Sequence, residues 1–434
     1  MKRILTIIAC VLCFPIAASH IVGGEFELLH ISGNQYRLNL IWYFDVARNP
    51  GRIPEAQEPF IDVNIFRMSD NVMLRTVRLN FQSPKEAVGY TQPECSSGEI
   101  VTDKLMYSAM VTLGADEFSD PLGYYISWQR CCRNYNISNI FSQDPTQSGT
   151  GTSVSAGQTF YLEFPPVTKK GQPFINSSPR LFPPLNDYAC PGKPYYVDFA
   201  GVDDDGDSLV YSLVTPLNTD NANATPGVFP RPYKEVTWRP GFELDRIMNG
   251  LPVSASHPDL RISRTGFLRV TPRSVGLFVF AVRIDEFRNK IKIGESRRDF
   301  QMLVTDCRVA EPPKIFGKKL NETVFSAAEN MSVSFSASTP DNERCIVVRV
   351  ADPDAARESD SFSEFIRIQA VPLNFAGKAL TELLPTQNTQ IIHNNDSAEF
   401  KICFPRCPYF QGGAYQVGII AFDDACALPV SDTL

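Results

Sequence analysis

The chain is poor in histidine, in clustered charge and in long apolar runs. Only four histidines occur in 434 residues, His20, His30, His257 and His393, which leaves few groups to serve as a general base or a zinc ligand. Cys403-x-x-x-Cys407 stands alone as a metal-type spacing. No Gly-x-Ser-x-Gly, no His-Glu-x-x-His and no phosphate-cradling glycine loop is present, so the usual hydrolase, metalloprotease and nucleotide-binding signatures are missing. Basic residues run no further than pairs such as Lys169-Lys170, Arg297-Arg298 and Lys318-Lys319, and the net charge is −7. That balance argues against nucleic acid and anionic membrane surfaces as partners. Past the N-terminus no segment approaches the roughly 18 uninterrupted apolar residues of a transmembrane helix.

What is present is turn chemistry and alternation. With 43% apolar and 21% charged residues the chain is of the folded type, and 33 prolines beside 26 glycines punctuate it too often for long helices. The expected class is all-β, in tandem β-sandwich domains. At the N-terminus Lys2-Arg3, the apolar run Ile4 to Ile16 and the small residues Ala17-Ala18-Ser19 form a Sec-type signal peptide over residues 1–19, so the mature chain is expected to begin near His20 and to be secreted.

Export turns the cysteines into a disulfide framework. Nine follow the signal peptide: Cys95, Cys131, Cys132, Cys190, Cys307, Cys345, Cys403, Cys407 and Cys426. The number is odd, so at least one is unpaired or pairs outside the chain. Cys190 and Cys307 bracket a domain and are expected to pair; Cys95 is expected to pair with Cys131 or Cys132.

Three domains follow from the pattern: residues 20–168, 169–306 and 307–434, the last expected to be incomplete at its C-terminus. In the first, Gln35 to Asp45 places Tyr36, Leu38, Leu40, Trp42 and Phe44 on one face, and Leu105 to Leu113 alternates in the same way. Further strands are expected at 60–67, 72–81, 123–130 and 158–164.

The second domain carries Ala200-Gly-Val-Asp-Asp-Asp-Gly-Asp-Ser-Leu-Val-Tyr-Ser-Leu213, then Thr265-Gly-Phe-Leu-Arg-Val-Thr-Pro272, then Gly276-Leu-Phe-Val-Phe-Ala-Val-Arg-Ile-Asp285. This order resembles the cadherin-like and immunoglobulin-like repeats of bacterial surface proteins, which implies adhesion or architecture. Asp203, Asp205 and Asp207 put three carboxylates at alternate positions of a glycine-containing turn, a donor set for a hard cation such as calcium. The resemblance implies that Asp285 or Glu286 completes the shell; the alternative is a solvated Asp/Gly turn. In the third domain Asp352 and Asp354, with Asp423 and Asp424, take the corresponding places.

Ser19-His-Ile-Val-Gly-Gly-Glu25, Trp128-Gln-Arg-Cys-Cys-Arg-Asn134 with Ile137-Ser-Asn-Ile140, Asn176-Ser-Ser-Pro179, Glu235-Val-Thr-Trp238, Glu286-Phe-Arg-Asn289 and Arg297-Arg-Asp-Phe300 follow one another in the chain. In that order they are similar to the N-terminal region of Bacteroidetes-type secreted proteins that are gliding-motility-associated or type IX-sorted and carry PKD-like or immunoglobulin-like repeats. The resemblance implies a non-catalytic cell-surface protein whose partners are other surface or secretion-system proteins. A carbohydrate-binding or polysaccharide-processing protein is the alternative, with Tyr124, Tyr125, Tyr195, Tyr196 and Tyr233 as candidates for a glycan platform. Two fragments imitate enzymes. Ile21-Val-Gly-Gly24 resembles a trypsin-like mature N-terminus without the remaining motifs, and Gly206-Asp-Ser-Leu209 resembles a GDSL esterase block without an Asp-x-x-His, since positions 254 and 390 are Ser and Gln.

Overall fold

A computed structural model describes residues 21–47, 58–90, 101–142, 156–184, 187–219, 229–250, 259–307, 311–327, 331–336, 338–355, 364–373, 388–393, 396–404, 416–424 and 431–434. Among them strands dominate, and the one helical turn is the 3-10 segment Asp341–Glu343. The chain divides into two compact units, Met1–Asp306 and Cys307–Leu434.

The first unit opens with β1 (Ile21–Ser32), β2 (Gln35–Asp45), β3 (Phe60–Arg67), β4 (Met73–Ala87), β5 (Thr102–Thr112), β6 (Tyr124–Arg130) and β7 (Gln158–Phe164). Short ladders follow: β8 (Thr168–Lys169), β9 (Gln172–Pro173), β10 (Arg180–Leu181), β11 (Tyr195–Asp198) and β12 (Gly201–Val202). The unit ends with β13 (Ser208–Val214), β14 (Arg261–Ile262), β15 (Phe267–Val270), β16 (Gly276–Arg288) and β17 (Ile291–Val304). The main sheet runs β1-β2-β5-β4-β3-β6-β7-β17-β16-β13, and β1 also pairs with β17 at Gly24 and Asp299. That extra pairing closes β1 to β7 and β17 into a ring, from which β16 and β13 extend.

Two cores lie on the two sides of this sheet. Inside the ring, Tyr36, Leu38, Leu40, Trp42 and Phe44 of β2 meet Leu105, Tyr107 and Val111 of β5, as the alternation requires. The outward residues Ile41 and Tyr43 are buried as well, because Phe278, Phe280 and Val282 of β16, Phe300 and Met302 of β17 and the small β11-β15-β14 sheet cover them. A strand covered on both faces reads as a continuous apolar run, which is why Leu40 to Phe44 has no charged side chain. The division expected at residues 168 and 169 therefore falls inside a single unit, crossed by a sheet to which both stretches contribute.

The second unit contains β18 (Lys314–Lys319), β19 (Cys345–Ala351), β20 (Glu364–Pro372), β21 (Thr389–Ile392), β22 (Ser397–Cys403), β23 (Val417–Phe422) and β24 (Ser431–Thr433). Sheets β18-β19-β22 and β21-β20-β23-β24 form a sandwich. Val348, Val350, Phe400 and Ile402 of the first sheet meet Ile366, Ile368, Ile419 and Ala421 of the second in its core. Cys345 stands opposite Cys403 in the β19–β22 ladder and is bonded to it.

Candidate functional site

The conspicuous motifs converge where β1 meets β17, and they are structural. Gly23 and Gly24 let the backbones approach: a Cβ on Gly23 would overlap the Asp299 carbonyl oxygen. The segment after β6 lies alongside, with the Ile21 N–H donating to the Cys132 carbonyl at 3.1 Å. Arg133, fully buried, donates from Nε to the Gly157 carbonyl at 2.7 Å and from Nη2 to the Leu217 carbonyl at 3.0 Å, and forms an ion pair with Asp299. Arg298 pairs with Glu25 at 2.5 Å, and the Tyr43 hydroxyl donates to the same carboxylate. Asn134 donates to Asp45 at 3.1 Å and Gln301 at 2.9 Å, while Asn139 donates to the carbonyls of Ile247 and Val279 and accepts the Val279 N–H. Burial pushes the Asp299 carboxyl up, and the Arg133 guanidinium opposes that shift. Glu25 and Asp299 each face a guanidinium, although Glu25 Oε2 has no hydrogen-bond partner among the described residues.

Cys131 and Cys132 are bonded to each other, through a cis peptide. The expected pairing of Cys95 with one of them falls on a residue outside the described part of the chain. Cys95, Cys407 and Cys426 lie outside the described residues. Cys190 and Cys307 are both disulfide-bonded, and next to Cys190 the Ala189 strand fragment bridges Val304.

The acidic turn connects β12 to β13, with Gly206 at φ 79°, a conformation that glycine adopts freely. Asp203 Oδ1 accepts the N–H groups of Asp205 at 3.0 Å and Asp207 at 2.9 Å, which fixes the turn from within. The β13–β16 register then sets Leu209 opposite Glu286, and one oxygen from each of Asp203, Asp207 and Glu286 lies within 4.8 Å of the others. Glu286 is only 2% exposed and its Oε1 has no hydrogen-bond partner, nor has Asp203 Oδ2. Burial, reinforced by the Asp203 and Asp207 charges against hydrogen bonding from Asn176, pushes the Glu286 carboxyl up to about 9. Burial likewise raises Asp203.

Among the described residues the cation ion-paired with this cluster is Arg288. Arg288 donates to Asp207 from Nε at 2.8 Å and Nη2 at 2.5 Å, and to Asn176 Oδ1 at 2.8 Å. Three carboxylates against one guanidinium leave two formal negative charges when all are ionised, and two buried carboxylate oxygens stand unpartnered. That donor set fits a divalent hard cation, with backbone oxygens or water completing the shell. Asp205 and Asp285 make other contacts, although Asp205 also lies 3.9 Å from Arg288. Asp205 Oδ2 accepts the Ser177 N–H, and Asp285 pairs with Lys292 at 2.7 Å and Arg283 at 3.2 Å. Asn176-Ser-Ser178 thus joins the turn to β1, since Ser178 Oγ accepts the Leu28 N–H and Ser177 Oγ the His30 N–H. Arg288 and Asn176 carry much of the geometry, and only their motif neighbours marked them in the sequence.

In the second unit Asp352, Asp354 and Asp423 are buried, and Asp352 Oδ1 accepts the Asp354 N–H at 2.7 Å. Burial pushes Asp352 up, with Asp354 and Asp424 reinforcing it. Of the tyrosines considered for a glycan platform, Tyr124, Tyr125 and Tyr195 are core residues, and Tyr233 packs edge-on against Tyr161 at 5.8 Å. Only Tyr196 is exposed, at 48%. In the Gly206-Asp-Ser-Leu209 fragment, Asp207 is held by Arg288 and Ser208 begins a strand. His30 Nε2 contacts the Gly33 carbonyl oxygen, while His20 and His257 lie outside the described residues.

No family model and no curated protein matches the chain. Among solved structures it is similar to extracellular domains 3–5 of Drosophila OTK, at 10% identity over 96% of this chain and 95% of that one, with a TM-score of 0.16. A second is the N-terminal eight immunoglobulin domains of Down Syndrome Cell Adhesion Molecule, at 8% identity over 96% of this chain and 42% of that one, with a TM-score of 0.17. Superposition this slight carries no argument about function. Among the described residues no helix is long and apolar enough to cross a membrane.

Proposed function

We propose that the chain is a secreted, non-catalytic cell-surface protein: an adhesin-like or gliding-associated interaction module, exported through the segment 1–19, with other surface or secretion-system proteins as partners. The observation that supports this best is the use of the motif residues. Arg133, Asn134, Asn139, Arg298 and Asp299 are buried and bonded to one another or to backbone, so the conspicuous polar residues are spent on shape and leave no reactive constellation among them. A calcium ion held by Asp203, Asp207 and Glu286 would be structural, neutralising the cluster and tying the β12–β13 turn to β16.

The test uses the mature chain, residues 20–434, immobilised on beads. Expected are retention of bacterial surface material and no turnover of esterase, protease or glycosidase substrates. Turnover proportional to protein concentration and abolished by a single substitution would overturn the non-catalytic reading. Absence of binding to any surface fraction would overturn the interaction reading.

A further inference from the structure

Arg288 holds two parts of the first unit together. Its Nε and Nη2 take the two oxygens of Asp207 at 2.8 and 2.5 Å, while Nη1 donates to the Ile175 carbonyl and Nη2 to Asn176 Oδ1, each at 2.8 Å. The guanidinium also lies over the Phe174 ring at 4.7 Å, with Lys169 Nζ 3.7 Å from the same ring. Residues 174–178 are thus a strap, pinned to the carboxylate cluster by Arg288 and to the acidic turn by the Ser177 N–H on Asp205. The far end of the strap covers the last part of β1. There the Ser178 N–H donates to the Leu28 carbonyl at 2.8 Å, and the hydroxyls of Ser178 and Ser177 accept the Leu28 and His30 N–H groups at 2.8 and 3.1 Å.

A guanidinium bonded to both oxygens of Asp207 stands against any second cation that draws on the same carboxylate. Like charges a few ångströms apart repel most where water is scarce, and here Glu286, on the far side of the cluster, is 2% exposed. We propose that Arg288 is a built-in competitor of the divalent cation at Asp203, Asp207 and Glu286, and that occupancy of that site loosens the 174–178 strap from β1. The proposal rests on calcium binding to those three carboxylates and adds its regulation. Coupling between two sites is reciprocal, so what weakens the hold of Arg288 tightens the cation. Arg288 therefore keeps the affinity low, in the range where an extracellular module responds to millimolar calcium.

The experiment is calorimetric titration of the mature chain with calcium chloride, beside Arg288→Gln and Arg288→Lys, together with amide hydrogen exchange of the wild type in calcium and in chelator. Arg288→Gln, which removes the charge, is expected to bind calcium about tenfold tighter, and Arg288→Lys, which keeps it, to stay near the wild type. In the wild type, calcium is expected to speed exchange at the Ser177 and Ser178 amides severalfold while the β16–β17 ladder stays protected. If Arg288→Gln does not fold, the exchange measurement on the wild type decides. No heat of binding in any of the three proteins would overturn the cation site and the proposal with it. Calcium binding by the wild type with Arg288→Gln no tighter, with Arg288→Lys tightened as much as Arg288→Gln, or with the two strap amides unchanged or slowed, would overturn the competition and leave the cation site standing.

Discussion

Two groups of carboxylates beside the hairpin β16–β17, one at Asp299 and one at Glu286, differ in charge balance. Where β17 meets β1, Glu25 and Asp299 are answered by Arg298 and Arg133. Toward the other end, Asp203, Asp207 and Glu286 lie around one ion-paired guanidinium among the described residues, that of Arg288; Asp203 Oδ2 and Glu286 Oε1 have no hydrogen-bond partner there, and neither has Glu25 Oε2 at the junction. Burial alone therefore does not mark a site. A buried charge matched within the chain fixes the fold, whereas a buried excess of one sign either holds protons or awaits a cation from outside.

The largest way to break the comparison is to unmatch the junction. Arg298→Ala leaves the Glu25 carboxylate enclosed without its partner, and the expected loss is about 3–5 kcal/mol, read as a fall in the urea midpoint with an unchanged slope. Arg288→Ala, at the half-buried end, is expected to cost less without calcium and to enlarge the gain that calcium brings. Equal losses at the two positions would erase the distinction drawn between them.

A second effect gauges the first. Removing the Cys345–Cys403 disulfide, which spans 58 residues, with alanine at both positions is expected to cost roughly 2–4 kcal/mol. It lies in the other compact unit, so its cost should add to that of Arg298→Ala within about half a kcal/mol. Non-additivity would show that the junction acts beyond its own unit. Peptide mapping without reduction is expected to recover Cys131 joined to Cys132 and Cys190 joined to Cys307; a Cys95 linkage to the adjacent pair would contradict the first.

The strands were largely legible in the sequence because alternation is a local property: 35–45, 60–67 and 158–164 appear as expected, with Trp42 and Tyr107 inward. β1 was not among the expected strands, since the close approach of β17 to Gly23 and Gly24 depends on a partner far along the chain. The continuous sheet through residue 168 was hidden for a similar reason, because ladder partners far apart in sequence leave no periodic trace. At the acidic turn, Asp203, Asp207 and Glu286 were legible from spacing and resemblance. That Asp205 and Asp285 turn to Ser177 and Lys292 depends on neighbours that only the fold supplies.

A further effect is the dependence of stability on pH without calcium. Glu286 binds its proton more tightly folded, with its value pushed up to about 9, than in the unfolded chain, where an unperturbed Glu titrates near 4.3. Between those values the native state holds the extra proton, so stability falls as pH rises toward 9. Glu286→Gln is expected to flatten that slope. A stability that instead rises across this range would mean that the carboxyl is ionised in the fold.

The most direct measurement is a thermal melt of the mature chain near pH 8 in millimolar calcium and in chelator, with wild type beside Glu286→Gln. The whole chain is needed because the sheet joins residues on both sides of 168. At the affinities usual for extracellular modules, millimolar calcium is expected to stabilise the wild type by about 1 kcal/mol, a rise of about 2 °C, and to leave Glu286→Gln unmoved. Identical wild-type melting temperatures in the two buffers would contradict the claim that the unmatched carboxylates form a cation site.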